Sequence, residues 1–348
     1  MIDLSFVELD SISIHHVGNP LQDETLKLSK TTSQVEDDTL KALLYKYFLS
    51  HFETPEHYHF SSSSEDPTLN PIFRFASSIF ESAGSLQEQS ENIARHLYES
   101  SQHPNIKAGD LCVVYFNQIN YEDEVTDAIG IFKSESKETY LKLIDQTDSF
   151  ELDYEQGINV NKPDKACLIF NAEKSDGYRV FILDKSNRNG EAQFWKDTFL
   201  QLKECSNNYT YTNNMLTMTR SFVKHKMKED FDVEKADEID LLNKTINYFK
   251  ENESYDQDDF SNRVFQNEEL ASSFQTYQTE CISDLNLAVE DTFDISYPAV
   301  KKQSRVFKSV IKLDKNFHIY VHGDRQKIEK GVDASGNKFY RLFYDDES

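Results

Sequence analysis

The sequence predicts an α+β fold: an N-terminal, mainly antiparallel sheet with flanking helices, then a helical region, then a small C-terminal β element. Three observations predict it. Up to Cys205 the strand-type apolar runs come mainly as neighbouring hairpins without a helix between them, which favours antiparallel pairing over a doubly wound sheet. Past Ser206 the apolar residues recur at three- and four-residue spacing with little strand signal. Strand-type runs return after Tyr297-Pro298. The expected boundaries are 1–205, 206–296 and 297–348, the last packed on the second. A chain of 348 residues has the length for two domains, at roughly 150 residues each.

Taken in order, Ser11–Val17 (SISIHHV) reads as a first strand, and Thr25–Ser29 alternates so that it pairs back with it. Gln34–Phe52 has a helical apolar face of Leu40, Leu43, Leu44, Tyr47, Phe48 and Phe52. Pro71–Ser82 and Leu86–Ser101 are two further helices, the first opened by a proline at a favoured position. Asp110–Asn117 and Ala128–Lys133 are strands, and Tyr140–Ile144 and Phe150–Leu152 add two more.

Lys165 to Cys205 is the organising stretch of the N-terminal region. Ala166–Asn171 and Gly177–Asp184 form a hairpin across the Lys174–Gly177 turn. A helix pattern with Phe194, Trp195, Phe199, Leu200 and Leu202 follows, and Trp195 is the only tryptophan. Helices are then expected at Asn213–Met227, Ala236–Phe249, Phe260–Phe265 and Glu269–Leu285, with Glu251–Asp259 as a polar linker. Val306–Leu313, Phe317–Val321 and Lys338–Tyr344 are the C-terminal strands.

Charge is unevenly distributed. The net charge is −24, which argues against a protein that coats DNA with its whole surface. Yet Lys301 to Arg341 holds eleven bases against four acids, a net +7 that leaves −31 on the rest. The candidate phosphate contacts are Lys301, Lys302, Arg305, Lys308, Lys312, Lys315, Arg325 and Lys327, with Lys185 and Arg188 as secondary contacts. In an extended strand Lys308 and Lys312 share one face, while Phe307, Ile311 and Leu313 turn to the body of the domain. The competing reading is that these bases pair with acids of the same molecule. A smaller group, Arg220, Lys224, His225, Lys226 and Lys228, suits a helix C-terminus whatever the function.

Other chemistry has little footing. Cys112, Cys167, Cys205 and Cys281 form no CxxC pair, so neither a zinc site nor a disulfide framework is expected. His51, His57 and His59 with Glu53 or Glu56 match no named zinc spacing, and aromatic packing is favoured over a metal. His15 and His16 put one imidazole on each face of the first strand. There is no GxGxxG, GxxxxGK[ST], HExxH or GxSxG. Acidic pairs such as Asp123–Asp127 and Asp256–Asp258 are unremarkable among 61 carboxylates. No cofactor, signal peptide or membrane span is expected, and a cytoplasmic protein is.

Four segments resemble the bacterial 37-kDa nucleoid-associated protein family: SISIHHVGN at Ser11–Asn19, DLCVVYFN at Asp110–Asn117, KACLIFN with GYRVFILDKSNRNGEAQFWKDTFL, and YPAVKKQSRVFKSVIKLDKNFHIYV at Tyr297–Val321. Where that family carries a tryptophan-containing C-terminal strand, this chain has NKFYRLFYDDES. The resemblance implies a cytoplasmic, nucleoid-associated, non-enzymatic protein. It implies binding of double-stranded DNA with little sequence preference, and contact with DNA-topology proteins. The alternatives are an acidic interaction module recruited through a partner and, with less support, a metal-dependent nuclease. A homodimer through Asn213–Phe249 and burial of that face within the monomer are both compatible with the pattern.

Overall fold

Strand register decides the layout of the first 204 residues. The computed structural model describes residues 2–3, 7–52, 56–121, 124–184, 194–285, 287–307, 310–321 and 325–346. They divide into two compact units, Met1–Glu204 and Cys205–Ser348.

In the first unit, β1 (Ile2–Asp3), β2 (Glu8–Val17) and β3 (Leu26–Lys27) precede helix α1 (Asp38–Leu49) and β4 (Tyr58–Phe60). Helices α2 (Pro71–Glu81) and α3 (Leu86–Ser100) follow. Then come β5 (Gly109–Tyr121), β6 (Glu124–Ser134), β7 (Glu138–Gln146), β8 (Ser149–Gly157), β9 (Lys165–Phe170), β10 (Arg179–Asp184) and β11 (Leu202–Glu204). The main sheet runs β11-β4-β10-β9-β6-β5-β2-β3, with β1 also on β5, and all its pairings are antiparallel. The α+β expectation and the β9–β10 hairpin are borne out.

Period-two alternation splits the central strands between two cores. Val113, Ile131, Cys167 and Val180 face α2, α3 and the Phe194–Leu200 π-helical turn that carries Trp195. Their neighbours Val114, Phe132, Leu168 and Phe181 face α1. All six residues of β9 are buried, as a strand covered on both sides requires. Trp195 is wholly buried, and its indole N–H donates to the Ala166 carbonyl at 3.1 Å. Gly177, at φ 116°, closes the turn before β10. A Cβ there would lie 2.4 Å from the Phe60 carbonyl oxygen, so a side chain would push β4 off the sheet.

Two expectations change here. Helix α1 buries only its last turn, where Phe48 packs on Phe116 and Phe132. Leu40 and Leu43 stay exposed. The runs around Tyr140 and Phe150 do form strands, but β7 and β8 pair with each other outside the main sheet.

The second unit is built on α4 (Asn208–Ser221), α5 (Met227–Asp230), α6 (Lys235–Glu251), α7 (Gln257–Val264), α8 (Glu268–Leu285) and α9 (Tyr297–Ser304). Its core gathers Met215, Phe222, Phe249, Tyr255, Phe260 and Phe274. The apolar face of Asn213–Phe249 is therefore buried within the chain. The expected linker Glu251–Asp259 contains β12 (Ser254–Asp256), paired with β13 (Thr292–Asp294). Strands do not resume directly after Pro298. That proline opens α9, whose Ala299 and Val300 are buried, so packing favours a helical turn there. The strands are β14 (Val310–Leu313), β15 (Phe317–Tyr320), β16 (Ile328–Val332) and β17 (Lys338–Leu342), forming two separate hairpins. Of these, β16 was absent from the sequence reading.

Candidate nucleic-acid interface

Helix α6 supplies one wall of a groove in the second unit. Its start is fixed by a capping box between Glu234 and Asp237. Leu242 and Phe249 point into the core, so Asn243, Asn247 and Lys250, at helical spacing, fall on another face. The opposite wall is the β14–β15 hairpin. Its register pairs Val310 with Tyr320 and Lys312 with His318, which puts all four on one face. Ile311 and Ile319 turn the other way and pack with Ala236 and Ile239. The expectation that Ile311 and Leu313 meet the body of the domain is borne out. Phe307 is buried too, but in the helical core ahead of the strand.

Between these walls, with Ser304 at the end of α9, the groove holds about 490 Å³. It is lined by Lys250, Lys312, His318 and Tyr320 along with amide, hydroxyl and aliphatic groups. Among the described residues no carboxylate lines it, although the chain has 61 Asp and Glu. Two ammonium groups facing a groove whose described lining carries no carboxylate attract anions. Tyr320 and His318 are exposed and offer flat faces beside those charges. That combination suits a sugar-phosphate strand.

The sequence-predicted bases divide into groups. Lys301, Arg305, Lys312 and Lys315 are exposed and make no ion pair among the described residues. Lys302 lies over the Tyr209 ring at 5.6 Å. Arg325 is committed elsewhere: its Nε donates to Asp237 at 2.6 Å and its Nη2 to Glu234 at 2.7 Å. It thereby ties the C-terminal hairpins to the start of α6. Lys327 pairs with Asp345. Lys308, Lys185 and Arg188 lie outside the described residues. Lys250, Asn247, His318 and Tyr320 were missed. The only sequence signal for the first two is the polar stripe of α6.

In the smaller basic group, Lys226 pairs with Asp230 at 3.1 Å and Lys228 with Glu238 at 3.1 Å. Burial, with Arg220 and Lys235 nearby, depresses the Lys224 ammonium pKa.

The described histidines of the first unit make structural contacts. His15 is buried, with Nε2 at 3.1 Å from Ser13 Oγ and 2.9 Å from Ser90 Oγ, while its Nδ1 accepts the Ser29 N–H at 3.2 Å. An accepting Nδ1 leaves the proton on Nε2, so this ring donates to the serines and cannot serve as their base. His16 pairs with Asp110 at 2.8 Å on the other face. His59 bonds Glu173 at 2.7 Å, and its ring lies 6.2 Å from that of His57. His51 reaches the Val160 carbonyl instead, and Glu53 lies outside the described residues. Among the described residues no group of three or more His, Cys, Asp or Glu is placed to hold a metal.

Burial lowers the pKa of both His15 and His96 below the ordinary 6.5; around His15, Glu91 opposes the shift and Arg95 and Lys30 add to it. A depressed folded-state pKa means that the unfolded chain takes up the protons first. The stability present above pH 6.5 is therefore expected to fall as the pH drops below it. Urea unfolding followed by Trp195 fluorescence should show a lower midpoint at pH 5.5 than at pH 7.5. An unchanged or higher midpoint contradicts this.

A family model described as nucleoid-associated protein YejK matches residues 13–348. The chain belongs to that family. The match spans both units and includes the whole groove, and it bears out the resemblance read from the four segments. No curated protein matches the chain. Family membership makes this a nucleoid-associated protein. No helix among the described residues is long and apolar enough to cross a membrane.

Proposed function

We propose that the protein binds duplex DNA directly, with little sequence preference and without catalysis, at the nucleoid in the cytoplasm. The contact surface is the groove between α6 and the β14–β15 hairpin, extended by Lys301, Arg305 and Lys315, which make no ion pair among the described residues. The observation that carries this reading is a groove lined by Lys250 and Lys312, with no carboxylate among its described residues, in a chain of net charge −24. Lysine and arginine reach phosphates without reading base edges, which is why sequence preference is expected to be weak. Arg325 and Lys327 are left out of the surface because carboxylates of the same chain already hold them.

Titrating fluorescent duplexes of unrelated sequence across a salt series tests the proposal. With about four phosphates engaged, affinity should fall roughly 150-fold between 50 and 200 mM salt, alike for every duplex. Absence of binding at low salt by the folded protein would remove direct contact.

The acidic remainder, −31 outside Lys301–Arg341, favours a second reading, recruitment through a basic protein such as a DNA-topology factor. In that case cellular association would survive nuclease treatment.

A further inference from the structure

The β7–β8 ribbon leaves an apolar face open. Its register pairs Leu141 with Tyr154, Leu143 with Leu152 and Asp145 with Phe150, so five large apolar side chains share one face. They are 65% to 78% exposed. The other face is polar: Lys142 Nζ pairs with Glu155 at 2.7 Å, and the Tyr140 hydroxyl donates to the same carboxylate at 2.9 Å. The two strands pair only with each other. A lone two-stranded ribbon is marginally stable in water unless its apolar face is covered.

We propose that a second copy of this chain covers it, the two ribbons packing face to face about a two-fold axis. Charge rules out the nucleic acid of the preceding section as occupant. The ribbon carries Glu138, Asp145, Asp148, Glu151, Asp153 and Glu155 against Lys142 alone, a net −5 that repels phosphate. Asp145 sits on the apolar face itself, opposite Phe150 at the turn end of the ribbon, and Asp148 is in the turn, so the two-fold axis must run across the strands and set these acids of the two copies at opposite ends of the contact. The other four do not oppose self-association. Glu138, Glu151, Asp153 and Glu155 lie on the face away from the apolar stripe. In a face-to-face pair they end up on opposite outer surfaces, with stacked sheets about 10 Å apart between them, beyond the Debye length of about 8 Å at physiological salt.

The area is sufficient. Five side chains at roughly 100 Å² each give about 1,000 Å² for the pair, the lower threshold of a specific interface, before the flanking Thr139 and Gln156 are counted. The stripe is its own complement, as an isologous contact requires.

Sedimentation velocity over a micromolar concentration series, on the intact protein, tests this. The wild type should reach twice the 40.5 kDa of the chain, and the Leu143→Glu, Leu152→Glu double variant should stay at the single-chain mass. Both positions are exposed, so the variant should still unfold cooperatively when followed by Trp195, with its midpoint lowered only by the lost association and approached by the wild type at low protein concentration. A wild type that stays monomeric, or a double variant that keeps the dimer mass, overturns the proposal. A monomer whose ribbon becomes protected only when another protein is added also overturns it, in favour of a heterologous partner. Should the double variant fold poorly, Leu143→Cys gives an independent reading. A bis-maleimide that spans about 10 Å should link two copies through this position, beyond any crosslinking of the wild type's own cysteines, and the absence of that extra product counts against the two-fold pairing.

Discussion

Reversing charge at both walls of the groove, Lys250→Glu with Lys312→Glu, is expected to weaken duplex binding about a hundredfold at low salt. Each lysine would supply a charge-assisted contact, and such contacts are worth about 1.5–3 kcal/mol, or tenfold and more apiece. The salt dependence should flatten as well, by about 0.9 in the log–log slope for each phosphate released. Neither lysine has an ion-pair partner among the described residues, so the fold should tolerate the change; surface substitutions of this kind stay within about 0.5 kcal/mol. Lys330→Glu, on β16 and outside the groove lining, is the matched control and should lose far less. The loss should be the same for all duplex sequences. A double variant that binds within twofold of wild type, with an unchanged salt slope, would move the contact surface off this groove.

The largest expected effect on stability lies in the first unit. Lys133 and Lys165 are register partners on β6 and β9, and Asp184 on β10 is opposite Lys165. Both ammonium groups are almost completely buried. Lys133 Nζ donates to the Lys107 carbonyl at 2.6 Å and pairs with Glu135 at 3.0 Å. Lys165 Nζ lies 3.2 Å from Asp184 and 3.6 Å from Glu135. Burial depresses the Lys133 ammonium pKa, and Glu135 opposes that shift.

Glu135→Gln keeps the shape and removes the charge that both lysines share. Breaking a buried pair from one side costs about 3–5 kcal/mol, and at this domain size each kcal/mol moves the midpoint roughly 2–4 °C. A fall of about 10 °C in the Trp195-monitored transition is therefore expected. Replacing both members, Lys133→Met with Glu135→Leu, should recover most of the loss, because an apolar pair of similar volume avoids the desolvation of two ions. A double variant less stable than Glu135→Gln would mean that the network contributes net stability of its own.

Much of this fold was legible in the sequence. Alternation and hairpin spacing located β2, β5, β6, β9 and β10, and helical periodicity located α2, α3, α6 and α8. These elements are long and strongly patterned, so local preference and tertiary burial agree. Short elements were read poorly. The three-residue strands β12 and β13 have too few residues to show a period. Around Pro298 a strand reading gave way to α9, because Ala299 and Val300 find a core that only the folded unit provides.

The family was legible as well, since segment order is a property of sequence. The candidate surface was only half legible. The C-terminal excess of bases is a count along the chain, and Lys312 belongs to both the count and the groove. Counting could not tell Lys312, which stays open, from Arg325, which Glu234 and Asp237 hold from a helix some ninety positions earlier.

By itself the sequence determined the α+β class, the antiparallel hairpins, the acidic bulk with its basic C-terminal stretch, and the family. Tertiary structure alone decided which bases remain unpaired, that Lys250 joins Lys312 across a groove, and that the apolar ribbon faces outward. The physical reason is the same in each case. Periodicity fixes which side chains share a face, but whether that face meets a core, a counter-charge or solvent depends on contacts between residues far apart in the chain, which no local pattern records.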